Sequence, residues 1–167
     1  MHHEKGAKMV TDEEVLLHGF SDEDRRSFLA MGKELHFEAD DVIIEESVPG
    51  ASLHVILEGD VSVWKRNVKL ATLSKGAVVG ELVIFRQHPR SATVRADGSV
   101  RTLMFEKSDI MAYFRWRDER LFKILVINVI YVLSRKLAKA SERTMQLENR
   151  LQSEQQKGPS WAHTSIS

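Results

Sequence analysis

The sequence predicts a mainly β protein: a double-stranded β-helix (jelly-roll) barrel with helices before it and one long helix after it. Three observations support this fold class. Between residues 34 and 106, apolar residues occur in short runs with the period of two that is typical of strands. Turn-forming residues separate these runs at near-regular spacing, as in a sandwich or barrel. Residues 118–152 contain neither Gly nor Pro and have apolar residues at helical spacing.

The length of 167 residues suits one domain, or one domain with an appended helix. We expect four segments along the chain. They are an N-terminal segment at 1–19, a barrel with its flanking helices at 20–117, a long C-terminal helix at 118–152 and a flexible tail at 153–167.

The N-terminal residues, up to about residue 32, predict helix. Ser21 has the character of an N-cap, and the three acidic residues that follow it favour the first turn of a helix. Phe28, Leu29 and Met31 would form the apolar face of that helix.

The barrel region predicts seven strands. They lie at 35–37, 42–45, 53–57, 61–64, 70–73, 92–96 and 100–105. The turns between them are marked by Asp, Asn, Gly and Pro, residues that favour turn conformations. A short helix is expected to open at Lys107-Ser108-Asp109, by the same capping logic, and to end at Phe114.

The long helix carries a heptad-like apolar stripe. Its members are Phe122, Val126, Val129, Leu133, Leu137, Ala140, Thr144, Leu147 and Leu151. The first half of the helix is apolar on several faces, so we expect it to pack on the barrel as well. The second half is polar except for the stripe, and a lone helix of that kind is marginally stable. We therefore expect a homodimer through this helix; a helix that lies along its own barrel is the alternative.

Composition excludes several function classes. The chain has 24 basic and 24 acidic residues, whereas proteins that grip nucleic-acid phosphates are usually basic. It has no Cys, which excludes disulfides, zinc ribbons and a cysteine nucleophile. The histidines lack metal-ligand spacing, and we identify no catalytic set or P-loop. We expect a cytoplasmic protein that is not an enzyme, needs no metal or cofactor, and contacts neither membrane nor nucleic acid.

The most informative stretch is residues 76–94, which interrupts the strands with Gly80-Glu81 and a short apolar run. Arg90 follows nine residues after Glu81 and offers a planar fork of donors suited to a phosphate. Glu81 is an acceptor, unsuited to phosphate but suited to sugar hydroxyls. Together they predict a ligand with one anionic group and a hydroxyl donor nearby.

The pattern Gly-Glu-Leu, followed by Pro-Arg-Ser-Ala-Thr-Val, resembles the phosphate-binding cassette of the cyclic nucleotide-binding domain family. That family includes kinase A regulatory subunits, the catabolite activator protein and cyclic-nucleotide-gated channels. The resemblance extends from about Phe20 to Gln152. It implies that cyclic AMP or cyclic GMP is the ligand.

The resemblance also implies a role for each matching residue. Arg90 would pair with the exocyclic oxygens of the cyclic phosphate, and Glu81 would accept from the ribose 2′-hydroxyl. Ser91 would add a hydroxyl near the phosphate or a guanine base. Backbone groups of Gly80, Leu82 and Val83 would face the ribose and phosphate, and Ser141 of the long helix would lie near the base.

Two positions depart from the family pattern. Val79 stands where an aromatic residue is usual, and Val83 stands where a small residue is usual. A branched side chain at Val83 would crowd the phosphate.

The resemblance implies a regulatory module in which the bound nucleotide repositions the C-terminal helix and so signals to a downstream protein that the sequence does not identify. Two alternatives remain. One is a dimeric interaction scaffold of the same fold that binds no ligand. The other is a transcription regulator without its DNA-binding domain, since fifteen residues after Gln152 are too few for a helix-turn-helix.

Overall fold

The computed structural model describes residues 10–85 and 88–156, and the predicted fold class is confirmed. Two four-stranded antiparallel sheets carry the barrel, with helices before and after it. By its internal contacts the chain forms two compact units, Met1–Val129 and Ile130–Ser167. The barrel lies within the first unit.

Two short helices precede the barrel, α1 (Asp12–Leu16) and α2 (Asp22–Ala30). The predicted N-cap of α2 is confirmed, because the Ser21 hydroxyl accepts from the backbone N–H of Asp24 at 3.1 Å. Thr11 and Glu14 form a capping box at α1, in which each side chain satisfies a backbone N–H of the other residue. Residues 1–9, also predicted as helix, lie outside the described residues.

All seven predicted strands are present, with ends that differ by up to two residues, together with an eighth that was not predicted. The strands are β1 (Lys33–Phe37), β2 (Val42–Ile44), β3 (Ser52–Glu58), β4 (Val61–Lys65), β5 (Val68–Leu73), β6 (Val78–Val79), β7 (Thr93–Ala96) and β8 (Val100–Glu106). The additional strand, β6, has two residues, too few to show a periodic pattern. The strand orders are β1-β8-β3-β6 in one sheet and β2-β7-β4-β5 in the other.

The barrel core is a cluster of aliphatic side chains contributed by both sheets. Its buried members are Ile44, Ile56, Val61, Val79, Val94, Ala96 and Val100. Turn chemistry fixes how the strands connect. Arg66 and Asn67, for example, both have positive φ, as a type I′ turn between β4 and β5 requires.

A second, aromatic cluster lies where the helices meet β8. The Phe28 ring stacks on Phe105 with 5.2 Å between centroids and meets the edge of Tyr113 at 5.4 Å. Phe114, at the end of α3 (Lys107–Phe114), packs against Phe28 and Phe122. The short helix predicted from Lys107 to Phe114 is confirmed with both of its ends, although its N-cap is Glu106, which makes no side-chain capping bond.

The long helix, α4 (Glu119–Gln156), extends four residues beyond its predicted end. Leu125, Asn128 and Val129 are buried within the first unit. The Asn128 amide donates to the carbonyls of Leu16 at 2.9 Å and His18 at 2.8 Å, and so ties this part of α4 to the end of α1. In the second unit, every side chain from residue 137 to 155 is exposed. The remaining part of the predicted tail, residues 157–167, lies outside the described residues.

No helix in the described ranges is long and apolar enough to span a membrane.

Candidate functional site

The Gly80–Val83 segment forms a single turn of helix. It is a 3₁₀ helix, Glu81–Ile84, that follows directly on β6 and has Gly80 as its N-cap. Gly80 has a φ of 80°, a left-handed conformation that costs glycine little. Its carbonyl accepts from the backbone N–H of Val83 at 3.2 Å. The local turn therefore depends on the glycine that precedes Glu81.

Arg90 is anchored by its own backbone. Its N–H donates to the carbonyl of Val48 at 3.0 Å, and its carbonyl accepts from Ser47 at 2.9 Å. The neighbouring prolines, Pro49 and Pro89, form an isolated antiparallel bridge. Arg90 lies in the turn that leads into β7, and the β2–β3 loop thus fixes its backbone through these hydrogen bonds.

The Arg90 guanidinium lies beside the 3₁₀ helix, as the sequence pattern requires. Nη1 donates to the Gly80 carbonyl at 3.3 Å, and Nη2 donates to the carbonyl and hydroxyl oxygens of Ser52. Burial lowers the pKa of Arg90, and the nearby Glu81 carboxylate raises it in opposition. An arginine remains charged at neutral pH despite such effects. The structure therefore brings Arg90, Gly80 and Glu81 together.

The other predicted site residues differ in their surroundings. Glu81 is buried and Leu82 exposed, while Val83 is 3% exposed, so its side chain is enclosed by protein. Ser91 is exposed, and its carbonyl accepts from Lys65 Nζ at 3.0 Å. Ser141 is exposed on α4 in the second unit. Its placement near a base stays a prediction, as do the contacts of the other residues with a ligand.

Glycine makes room for the guanidinium on two sides. A Cβ at Gly50 would overlap the Nε, Cζ and Nη2 atoms of Arg90, and one at Gly80 would lie 2.7 Å from Nη1. The Pro49-Gly50 pair by itself predicts only a turn, because Pro and Gly are sufficient reason for one. The second role of Gly50, as one wall of the arginine site, was missed.

A series of hydrogen-bonded polar side chains next to Arg90 was not predicted from the sequence. His54 in β3 is 3% exposed and lies between Ser52 and Thr102; its Nε2 is 3.4 Å from the Ser52 hydroxyl and its Nδ1 is 3.2 Å from the Thr102 hydroxyl. Burial, and then the charge of Arg90, lower the pKa of His54 to about 4. A histidine within the apolar run Leu53–Leu57 was the available signal, because a buried polar group needs a partner.

In the described parts of the chain, no three His, Asp or Glu side chains are grouped so that they could hold a metal ion. The Arg90 guanidinium supplies charged N–H donors of the kind that bind an organic phosphate.

Part of the chain matches known proteins. Residues 34–115 match the family model described as "Cyclic nucleotide-binding domain". The chain is 36% identical over 62 residues to a cGMP-dependent protein kinase of Plasmodium berghei, and 32% identical over 72 residues to a cAMP-dependent protein kinase regulatory subunit of Hypocrea atroviridis. These matches cover 37% and 43% of this chain. They span 7% and 16% of the length of the two relatives.

Solved structures are similar in fold. A cyclic nucleotide-binding domain from Methylobacillus flagellatus superposes with a TM-score of 0.72 at 22% identity, covering 80% of each chain. The catabolite activator protein of Thermus thermophilus gives a TM-score of 0.67 at 22% identity, covering 80% of this chain and 63% of the other.

Proposed function

Residues 34–115 belong to the cyclic nucleotide-binding domain family, and from that premise we propose that this chain is a non-catalytic module that binds cyclic AMP or cyclic GMP. The observation that carries the proposal is the position of Arg90. Its guanidinium lies beside the Gly80 carbonyl and close enough to Glu81 for the carboxylate to affect its pKa. A cation and an acceptor side by side fit the phosphate and the hydroxyl of one small ligand.

The proposed contacts follow from the chemistry of each group. Arg90 pairs with the exocyclic phosphate oxygens and Glu81 accepts from the ribose 2′-hydroxyl. Backbone groups of Gly80, Leu82 and Val83 line the ribose and phosphate, and Ser91 adds a hydroxyl.

We propose further that the ligand signals through α4. Ser141 would contact the base, so that cassette and helix share one ligand. Each charged hydrogen bond contributes about 1.5–3 kcal/mol, so two or three approach the roughly 5.5 kcal/mol that reverses a 1:99 population. The recipient would be a downstream protein.

A homodimer through α4 is part of this proposal. Large apolar side chains remain exposed on the second unit's helix: Leu137, Met145, Leu147 and Leu151. Exposed apolar side chains that recur along one helix favour a partner helix, because an isolated helix with such a stripe is marginally stable.

Isothermal titration calorimetry tests the binding proposal. The chain is titrated with cyclic AMP and with cyclic GMP, and Arg90→Ala is titrated in parallel. Saturable binding by the parent that is lost in the variant supports the proposal and ranks the two nucleotides. Absence of binding to both nucleotides by the parent would overturn it.

A further inference from the structure

The Nη2 atom of Arg90 is committed to Ser52. It donates to both the carbonyl oxygen and, at 3.3 Å, the hydroxyl oxygen of that residue. A guanidinium binds phosphate through two parallel N–H groups, which are either Nε with Nη2 or Nη1 with Nη2. Both pairs include Nη2. A phosphate can therefore engage Arg90 through two parallel bonds only after Nη2 releases a Ser52 oxygen.

Hydrogen bonds through His54 and Thr102 hold the Ser52 hydroxyl in an orientation in which it accepts from Arg90. Arginine can only donate, so the Ser52 oxygen accepts from Nη2 and its own proton must point elsewhere. His54 Nε2, at 3.4 Å, is the acceptor in line for that proton. Nδ1 then carries the ring proton and donates to Thr102 at 3.2 Å. The burial of His54 and Thr102 keeps water from competing for these bonds.

We propose that Ser52, oriented by His54, is a built-in competitor for Arg90, and that the phosphate of a bound nucleotide replaces at least one Ser52 oxygen on Nη2. This inference rests on the proposed function. It makes Ser52 an affinity-determining residue and His54 a positioning residue that acts through it. Removing the Ser52 hydroxyl frees one N–H of Nη2, so that a donor pair is open before the ligand arrives.

The direction in which Ser52→Ala changes the Kd for a cyclic nucleotide tests the proposal. We expect the Kd for the preferred cyclic nucleotide to fall about three- to tenfold, the range of an ordinary hydrogen bond, because the bond to the Ser52 hydroxyl is long at 3.3 Å. We also expect the Tm of the ligand-free variant to fall, because the same bond stabilises that state. Tighter binding with lower stability is the signature, since a serine that only supports the fold would lower stability without improving affinity.

Ser62→Ala is the matched control. Ser62 is a buried serine of β4, and its hydroxyl donates to Asp97 at 2.6 Å. We expect this variant to lose stability with its Kd unchanged. If the parent and Ser52→Ala bind with equal Kd, or the variant binds more weakly, the proposal that phosphate replaces a Ser52 oxygen on Arg90 is overturned. The proposed function then still stands. If neither protein binds a cyclic nucleotide, both the proposed function and the proposed competition between Ser52 and phosphate are overturned.

The His54 tautomer gives an independent readout in the ligand-free chain. Nitrogen-15 spectra of the imidazole should show a protonated Nδ1 and an unprotonated Nε2, and Ser52→Ala should shift the Nε2 resonance. A protonated Nε2 at neutral pH would overturn the role given to His54.

Discussion

The guanidinium of Arg90 occupies the space in which any other residue at position 50 would have its side chain. A Cβ built on Gly50 overlaps three atoms of that guanidinium. The β2–β3 loop also holds the Arg90 backbone through Ser47 and Val48. The loop therefore sets both the position of the arginine and the room that it has.

Gly50→Ala is expected to displace Arg90 and weaken cyclic-nucleotide binding at least tenfold, roughly the value of one charged hydrogen bond. Binding is measured by calorimetry, and circular dichroism checks that the fold persists. Gly98→Ala is the control, since a Cβ there meets nothing within 4 Å. Unchanged affinity in Gly50→Ala would show that the guanidinium does not need this space.

Arg90→Ala is expected to raise the Kd for a cyclic nucleotide by about 100-fold or more, because two charge-assisted hydrogen bonds are lost. Arg95→Ala is the matched control: Arg95 is an exposed arginine of the neighbouring strand β7. Equal losses in the two variants would point to a general effect of positive charge and away from the cassette.

Glu81→Gln is expected to weaken binding of cyclic AMP about tenfold while binding of 2′-deoxy cyclic AMP changes little. The amide keeps the shape of the carboxylate but gives a weaker bond to the ribose hydroxyl. Titration of both nucleotides into both proteins separates this contact from a loss of fold. Equal weakening for the two nucleotides would contradict the ribose role.

Acid is expected to destabilise the chain through His54. Its pKa is lowered from 6.5 to about 4 in the folded state, so the unfolded chain takes up the proton at higher pH. The contribution of neutral, buried His54 to the free energy of unfolding is full above pH 6.5 and is lost as the pH falls towards 4. The loss amounts to about 3 kcal/mol in the free energy of unfolding.

Urea unfolding across this pH range measures the effect, with His54→Gln as the reference. Glutamine does not titrate, so the stability of the His54→Gln variant should fall less steeply than that of the parent between pH 6.5 and 4. Parallel curves for the two proteins would contradict the assignment to His54.

Sedimentation velocity tests the dimer. We expect the parent to sediment as a dimer and the double variant Leu137→Glu/Leu151→Glu as a monomer, because charges at stripe positions oppose helix pairing. Lys139→Glu, an exposed position off the stripe, should leave the dimer intact. A monomeric parent would remove the homodimer from the proposal.

Local signals explain which parts of the fold could be predicted. The Ser21 hydroxyl caps a backbone N–H only three residues away, and the turn between β4 and β5 depends on the φ angles of Arg66 and Asn67 themselves. The sequence around each feature was therefore sufficient. The strand Val78–Val79 was missed because it is defined by its pairing with His54 and Val55, not by a pattern of its own. Tertiary contacts of this kind leave little trace in a short stretch of sequence.

The candidate site divides in the same way. The spacing of Gly80, Glu81 and Arg90 lies within one continuous segment and could be recognised. Gly50, Ser52 and His54 act on Arg90 from 36 or more positions away in the sequence. Their side of the arginine site depends on the fold that brings β3 beside the cassette, and no local pattern encodes it.

The Asn128 amide bonds to residues 112 and 110 positions earlier in the chain. During synthesis, the carbonyls of Leu16 and His18 leave the ribosome long before that amide exists. The carbonyls at the end of α1 therefore have no bond from Asn128 until the first half of α4 has emerged. By that time every barrel strand has left the ribosome. Contacts this far apart in sequence form slowly. The order of emergence thus places the docking of α1 onto α4 among the last steps in maturation of the nascent chain.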